Sequence, residues 1–411
     1  MENSDNRLTS VNWSEICPWL IIFRTFRIAS GFRILLLSAV AIILTAIGFA
    51  LLGYFFADSL PATPDSTACP CKSALQLQPC LGPAEEFCNA TCYPIFFPGT
   101  QFSQPFIRLF DLEADAGDMS YALLFGLWTL AVWALIGGAI TRSAAVQLAT
   151  GERIGWSKMF VHANRRWLSY FWAPLVPLVG VLLLSVPIAL LGLFLRFNAG
   201  ILLVALLWPL FIFAGLVMAT LLLGLIFGWP LMWAAISVEK TDCFDALSRS
   251  YAYVFQRPLR YLFYVVIATI FGSLCWLLVS NFAAAVAYLP YWSTSWGGGQ
   301  EQLNLILQRS PELGSLGKFG ATMIHTWTMC VQLLAAGFLY GYFWTATTAI
   351  YFLLRQDVDA TEMDEVELDE EAEYGLPRVE TDDIGAPVVT GESEQSAEGE
   401  ADEKSERKEE S

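Results

Sequence analysis

Long runs of apolar residues, separated by short polar segments, dominate positions 1–355 of the chain. A helix needs about 20 apolar residues to cross the hydrocarbon core of a bilayer, which is about 30 Å thick. Six runs reach this length, and none alternates apolar and polar residues as a barrel strand would. The pattern therefore predicts six transmembrane helices, at about 34–57, 121–140, 170–195, within 199–236, at 259–289 and at 321–354.

Two of these runs have a second interpretation. The first run follows three arginines, as the core of a signal peptide would, but it is longer than the 7–15 apolar residues of such a core. We therefore expect it to be a retained helix. The fourth run, 199–236, has 38 residues, about 57 Å of helix, so it could hold one crossing or two.

The distribution of basic residues favours one crossing. With one crossing, segments 1–33, 142–168 and 238–260 together with Arg355 carry 14 Lys and Arg, and the opposite segments carry five. Cytoplasmic loops are enriched in Lys and Arg. This bias predicts that both termini are cytoplasmic in the inner (cytoplasmic) membrane, and that the fourth helix breaks near Pro230 with its remainder along the inner interface.

Composition and charge divide the chain into an apolar body and an acidic tail. Only 15% of the residues are charged, against about 25% in soluble domains. Residues 356–411 hold 22 Asp and Glu and 4 Lys and Arg, whereas the rest of the chain has a net charge of +2. A segment so polar cannot bury enough apolar surface to fold, so a disordered cytoplasmic tail is predicted; the alternative is a contact with a basic partner or with the inner loops.

The predicted fold class is an all-α polytopic membrane protein. It has a cytoplasmic segment at 1–33 with an interfacial helix, a six-helix membrane domain at 34–355, and the tail at 356–411. The predicted outer loops are 58–119 and 290–320, and the inner loops are 142–168 and 238–260.

The first outer loop is rich in cysteine. Five of the nine cysteines lie within 24 residues of it: Cys69, Cys71, Cys80, Cys88 and Cys92. An outer face is oxidising, so these residues are disulfide candidates, and their odd number leaves one thiol free or paired elsewhere. A metal site is disfavoured because the loop lacks histidine and paired CxxC motifs.

The two inner loops resemble each other. Each carries amphipathic spacing followed by a basic and aromatic junction, at an offset of about 91 residues, which suggests a parallel repeat of two hairpins. Such helices lie in the headgroup layer, so five arginines are candidates for contact with anionic lipid headgroups: Arg165, Arg166, Arg249, Arg257 and Arg260. The alternative is that they anchor the topology and pack against the bundle.

The second inner loop and the run after it, FDALSRSYAYVFQRPLRYLFY at 244–264, resemble a motif of uncharacterised multi-pass bacterial inner-membrane proteins, including planctomycete ones. The segment is also loosely similar to the membrane domain that accompanies some glycerophosphodiester phosphodiesterases. The resemblance implies an all-helical membrane fold. It does not imply phosphodiester hydrolysis, because the chain carries no such catalytic domain.

Few residues indicate chemistry. The chain has two histidines, His162 and His325, and no catalytic, metal-binding or nucleotide-binding motif, so we predict no enzyme activity, cofactor or metal. Ionisable groups are rare in the predicted spans, which argues against ion-coupled transport.

The leading hypothesis is a non-enzymatic scaffold or lipid-contacting accessory. The alternative is a permease for an apolar or lipid-like molecule, and a membrane enzyme is a weaker third. The expected partners are membrane lipids and other membrane proteins or a second copy, and no nucleic acid. A solid apolar core would favour the scaffold, and a polar midplane cavity would favour the permease.

Overall fold

The structure is a computed structural model that describes residues 17–56, 98–111, 115–307 and 314–361, with 363, 365–366, 380–381 and 387–388. It divides into two units, Met1–Glu367 and Leu368–Ser411. In the second unit, the strands β1 (Glu380–Thr381) and β2 (Pro387–Val388) form an antiparallel pair. The five cysteines of the first outer loop and most of the predicted tail lie outside the described residues.

The described part of the first unit is helical. Its helices are α1 (Ile21–Ala29), α2 (Phe32–Phe55), α3 (98–107), α4 (Ala116–Ala149), α5 (Trp156–Arg165), α6 (Trp167–Gly192), α7 (Asn198–Glu239), α8 (Cys243–Gln256), α9 (Pro258–Gly298), α10 (Gln300–Leu307) and α11 (Ser315–Asp359). Short 3-10 turns occur at Pro18–Leu20, Arg108–Phe110 and Leu193–Arg196.

Six helices in the described residues are long and apolar enough to cross a membrane: α2, α4, α6, α7, α9 and α11. This confirms the predicted number of spans, and the protein is an all-α polytopic membrane protein. The last helix continues to Asp359, so the first residues of the segment predicted as tail belong to α11.

The predicted break near Pro230 is wrong. The helix α7 runs through Pro230 without interruption to Glu239, where Lys240 adopts a left-handed conformation and ends it. Residues Leu231–Val238 are fully buried and do not lie along an interface. Neighbouring helices in a membrane bundle can satisfy the backbone groups that a proline frees, and the dense packing around this segment is such a setting.

Three similar groups of helices build the bundle. Repeat 1 is α4–α5–α6 and repeat 2 is α7–α8–α9, each a long inner helix, a short helix and a long outer helix. Repeat 3 has the same parts but joins the two ends of the chain: inner helix α11, short helix α1 and outer helix α2. Each short helix packs on the inner helix of its own repeat.

The contacts between repeats also correspond. The inner helices α4, α7 and α11 all pack against one another. Each outer helix contacts the inner helix of the next repeat: α6 packs on α7, α9 on α11, and α2 on α4. The hairpin repeat inferred from the two inner loops is thus accompanied by a third copy, which is split between the beginning and the end of the membrane domain.

Aromatic side chains occupy the place where the inner helices meet. Equivalent positions carry Gly137 in repeat 1, Trp233 in repeat 2 and Trp344 in repeat 3. The rings of Trp233 and Trp344 stack with centroids 4.4 Å apart. A Cβ atom on Gly137 would lie 2.7 Å from Trp233, so only glycine leaves room for both rings.

The next positions, four residues earlier, are Trp133, Trp229 and Tyr340. The rings of Trp133 and Tyr340 stack at 4.6 Å, and the ring of Trp229 lies edge-on to Trp344 at 5.6 Å. We call these residues, with Trp233 and Trp344, the aromatic core.

The helix α3 belongs to the segment predicted as an outer loop, but it enters the bundle. Its Phe102 is buried, with its ring centroid 5.2 Å from that of Trp229, 5.4 Å from Trp133 and 5.7 Å from Trp344. The neighbouring Phe106 packs over Gly126 of α4. The helix α3 therefore closes the aromatic core from the side opposite the short helices.

We expect Phe102→Ala to lower the free energy of unfolding by about 3–5 kcal/mol, because it leaves a cavity among rings that cannot collapse into it. Phe110→Ala is the matched control, since Phe110 is half exposed and should cost less than about 1 kcal/mol. Reversible unfolding in mixed micelles, followed by tryptophan fluorescence, measures both. Equal losses would show that α3 is not inserted in the core.

Candidate functional site at the short-helix end

The short helices α1, α5 and α8 all lie at one end of the bundle, which we call the short-helix end. Local signals set their bounds. Gly31 and Gly155, both in extended conformation, precede α2 and α5. The Asp242 carboxylate caps α8 by accepting a hydrogen bond from the Asp245 backbone N–H at 2.9 Å. Pro258 occupies the first turn of α9, where its missing N–H costs nothing.

Each short helix buries one face in the bundle. The buried residues include Thr25, Ile28 and Ala29 in α1, Met159, His162 and Ala163 in α5, and Ser250, Tyr253 and Val254 in α8. They recur at the same positions of the three helices, three and four residues apart, as one face of a helix requires. Of the five predicted headgroup arginines, Arg165 lies on α5 and Arg249 on α8, and the other three lie at or just after the ends of these helices.

Three arginines connect consecutive repeats. Arg166 Nη1, at the start of α6, donates a hydrogen bond to the Thr241 carbonyl just after α7. Arg33, at the start of α2, donates to the Ile154 carbonyl after α4 at 3.1 Å. Arg260, at the start of α9, forms an ion pair with Asp357 near the end of α11. Each thus joins an outer helix to the end of the next inner helix, and we call them the connecting arginines.

Arg249 belongs to an ion-pair cluster. Its guanidinium pairs with Glu239 at the end of α7 and with Asp245 at 3.3 Å. Glu239 also pairs with Arg355 at 3.2 Å and accepts a hydrogen bond from the Tyr351 hydroxyl at 2.7 Å. Burial opposes the charge of Arg249, but the nearby Glu239 carboxylate outweighs it and raises the pKa of Arg249. The cluster joins the ends of α7 and α11 to the middle of α8.

Two tyrosines connect the end of α11 to its neighbours. The Tyr253 hydroxyl in α8 donates to Asp359, and the Tyr264 hydroxyl in α9 donates to Asp357 at 2.8 Å. Burial and the charge of Asp359 raise the pKa of Tyr253, so it remains a donor at neutral pH. Asp357 and Asp359 belong to the segment predicted as tail. They contact the second inner loop through Arg260 and Tyr253.

A buried polar network lies below the first inner loop and was not predicted from the sequence. The Ser237 hydroxyl donates to Thr141 at 2.5 Å and lies 2.8 Å from the Tyr170 hydroxyl. His162 Nε2 is 3.2 Å from the same Tyr170 oxygen. Arg142 Nη1 donates to the Ser237 carbonyl at 2.7 Å. Thr141 and Ser237 lie at equivalent positions of α4 and α7, four residues after Gly137 and Trp233. This correspondence between the two helices is the sequence feature from which the network could have been predicted.

This network holds helices together and offers no reaction centre to solvent. All five of its side chains are buried, so a substrate cannot reach the His162 imidazole or the Ser237 hydroxyl without opening the bundle. Within the described ranges, no group of three or more His, Cys, Asp or Glu residues could hold a metal ion.

Apart from the half-buried Lys240, the remaining described cations at this end are exposed. We call this set the basic belt: Arg24, Arg27, Arg153, Lys158, Arg165 and Arg257. Among the described residues, none of them pairs with an acidic side chain. The belt draws on all three repeats, and large exposed apolar side chains lie beside it, including Val161, Leu168, Phe244 and Leu259.

The five predicted arginines therefore separate into two classes. Arg165 and Arg257 are exposed and belong to the basic belt. Arg166, Arg249 and Arg260 are bound by the chain itself. The five positions lie at one end of the bundle, but three of them have a partner within the fold.

We expect Glu239→Gln to lower the free energy of unfolding by about 1–3 kcal/mol, because it leaves Arg249 and Arg355 without their shared carboxylate. Asp245→Asn is the matched control: it also faces Arg249, but its side chain is 47% exposed, and exposed pairs contribute about 0–1 kcal/mol. Unfolding in mixed micelles at low and high salt measures both. A smaller loss for Glu239→Gln than for Asp245→Asn would contradict the cluster.

A scan against protein-family models finds no match to this chain, and searches of curated proteins and of solved structures find none either. What the chain does must therefore be inferred from its own geometry and charge.

Proposed function

We propose that this is a non-enzymatic integral membrane protein that acts as a lipid-contacting scaffold. Its short-helix end faces the cytoplasm and binds the headgroups of anionic lipids. The observation that supports this most is the basic belt. It consists of exposed cations from all three repeats beside exposed aromatic and aliphatic side chains, which is the composition of a surface that rests in the headgroup layer.

The free energy of headgroup binding can be estimated from electrostatics. A basic residue near an anionic leaflet contributes about 1 kcal/mol, and the effect decays within a Debye length. The six residues of the basic belt together can therefore bias the surrounding lipid composition. The connecting arginines and Arg249 contribute less, because acids or carbonyls of the chain already occupy them. We accordingly assign headgroup contact to Arg165 and Arg257 and a structural role to the other three predicted arginines.

The packed centre of the bundle supports the scaffold over the permease. The inner helices meet at stacked rings, and Phe102 fills the space among them. The void beside Phe102 has a volume of about 10 Å³, roughly room for one water molecule. A permease pathway along this axis would require α3 to leave the core. A membrane enzyme has less support still, since the only hydroxyl and imidazole network in the described residues is buried.

The proposed orientation also assigns the first outer loop and the acidic segment to opposite sides of the membrane. With the short-helix end in the cytoplasm of a bacterial inner membrane, the first outer loop is assigned to the oxidising side, where its five cysteines are disulfide candidates. The acidic segment that follows α11 is assigned to the cytoplasm. Other membrane proteins or a second copy are the partners that a scaffold would hold.

We expect Arg165→Gln/Arg257→Gln to lower the association constant for phosphatidylglycerol by about ten- to thirtyfold, since two charges near an anionic headgroup contribute about 1 kcal/mol each. Reconstitution in phosphatidylcholine nanodiscs with a few per cent of spin-labelled phosphatidylglycerol measures this by electron paramagnetic resonance.

The matched control is Arg196→Gln/Lys318→Gln, which removes two exposed cations from the opposite end of the bundle. It should leave the preference for phosphatidylglycerol unchanged. Raised salt should weaken the preference of the unsubstituted protein. If both double variants bind phosphatidylglycerol like the unsubstituted protein, the basic belt is not a headgroup site.

Cysteine accessibility tests the orientation. Ser248→Cys on α8 and Ser293→Cys on α9 each introduce an exposed thiol at opposite ends of the bundle. We expect a membrane-impermeant maleimide to add to Ser293→Cys in intact cells, and to Ser248→Cys only after lysis, scored as an additional gel shift over the unsubstituted protein. Cys243 is a poor reporter, because burial and the neighbouring Asp242 raise the pKa of its thiol. Reaction of Ser248→Cys in intact cells would show that the short-helix end lies outside the cytoplasm, which contradicts the proposed orientation.

A further inference from the structure

A groove separates α9, α10 and α11 at the end opposite the short helices. Its volume is about 460 Å³, within the range of about 300–1,000 Å³ typical of small-molecule sites. Its walls are mainly apolar and include Val286, Leu303, Ile306, Trp327 and Val331. Among the described residues that line it, none has a charged side chain.

The polar groups in the groove are few and largely satisfied within the fold. The Tyr291 and Thr328 hydroxyls lie 2.9 Å apart and bridge α9 to α11. The Thr294 hydroxyl donates to the Pro290 carbonyl of its own helix. Gln302 also lines the groove, but it is exposed and accessible to water. A ligand therefore need not supply polar partners, and the chemistry of the walls fits a hydrocarbon chain.

The position of the groove along α9 places it at the far membrane interface. Val286 lies 28 residues after Pro258, about 42 Å along the helix, which exceeds the hydrocarbon thickness of about 30 Å. Around it, Trp292, Trp296 and Trp327 are exposed, as in the aromatic belts of membrane interfaces. Residues of α10, including Leu303 and Ile306, form one wall of the groove at this interface. The groove therefore has walls from three helices and lies at the membrane interface, not in the bilayer interior.

The groove is continuous with the lipid-facing surface of α9. Exposed apolar side chains follow one another along this helix every four residues and form one stripe. The stripe consists of Leu262, Val266, Ile270, Leu274, Leu278, Phe282 and Val286. Its last member lines the groove, so a hydrocarbon chain in contact with the stripe can enter the groove without crossing a polar surface.

We propose that this groove binds one acyl chain of a lipid from the leaflet opposite the short-helix end. The apolar walls select the chain, and because none of the described lining residues is charged, they make no selection on the headgroup at the interface. The site is independent of the basic belt, which selects headgroup charge. Binding to the groove should depend on the acyl chain and be the same for phosphatidylcholine and phosphatidylglycerol.

A photoactivatable lipid tests this proposal on the full-length protein. Phosphatidylcholine with a diazirine near the end of one acyl chain is reconstituted with the protein in nanodiscs, irradiated, and the crosslinks are mapped by peptide mass spectrometry. We expect crosslinks concentrated in peptides that contain 286–294 and 324–331. An excess of unlabelled long-chain lipid should reduce them, and an excess of short-chain lipid should reduce them less.

Two substitutions on one helix separate the groove from the general lipid surface. Ala287 lines the groove, whereas Ala285 is exposed outside it. Ala287→Trp should abolish most crosslinking in both peptides, and Ala285→Trp should leave it unchanged. Ala287→Leu is a smaller obstruction that serves if Ala287→Trp does not fold, and it should give a partial loss.

Three results would overturn the proposal. Crosslinks spread evenly along the α9 stripe would show surrounding bilayer lipid only. Equal crosslinking in Ala287→Trp and Ala285→Trp would show that the groove is not the binding site. A preference for phosphatidylglycerol that disappears in Arg165→Gln/Arg257→Gln would assign the signal to the basic belt. Because that variant should not change groove crosslinking, the two lipid sites can fail separately.

Discussion

Three inner helices meet closely in this bundle because Gly137 leaves room for the stacked rings of Trp233 and Trp344. In a membrane the hydrophobic effect does not drive helices together, so association depends on close packing and hydrogen bonds. The aromatic core supplies the packing, and Thr141, Ser237 and Arg142 supply hydrogen bonds one turn further along. The short helices pack on these inner helices, and the connecting arginines bind at or just after their ends.

The density of this core also explains why the two ends of the bundle differ. The buried residues concentrate in the halves of α4, α7 and α11 near the short helices. Beyond them, α6 and α7 continue as a hairpin with mostly exposed apolar side chains, and α9 and α11 continue to the groove. One end is therefore polar, tightly connected and basic, and the other is open and apolar. The two proposed lipid sites follow from this division, one for headgroup charge and one for hydrocarbon.

Much of the fold was predictable because membrane spans depend on a simple quantity, the length of an apolar run. The short helices were also visible as amphipathic spacing. Two features were not. The continuity of α7 through Pro230 depends on tertiary packing, which a local rule about proline does not contain. The insertion of α3 was hidden because its described helix has only ten residues, too few to register as a span.

The arginines of the inner loops show a different limit of sequence reasoning. A count of Lys and Arg identifies a basic surface, but it does not show which cations the chain neutralises itself. Arg249 and Arg257 lie eight residues apart in one loop, and among the described residues only Arg249 pairs with a carboxylate, on Glu239 at the end of α7. That pairing depends on where the inner helix ends, which is set by the left-handed conformation of Lys240. The cations available to a lipid are therefore those that remain after the fold has satisfied its own acids, and only the three-dimensional arrangement identifies them.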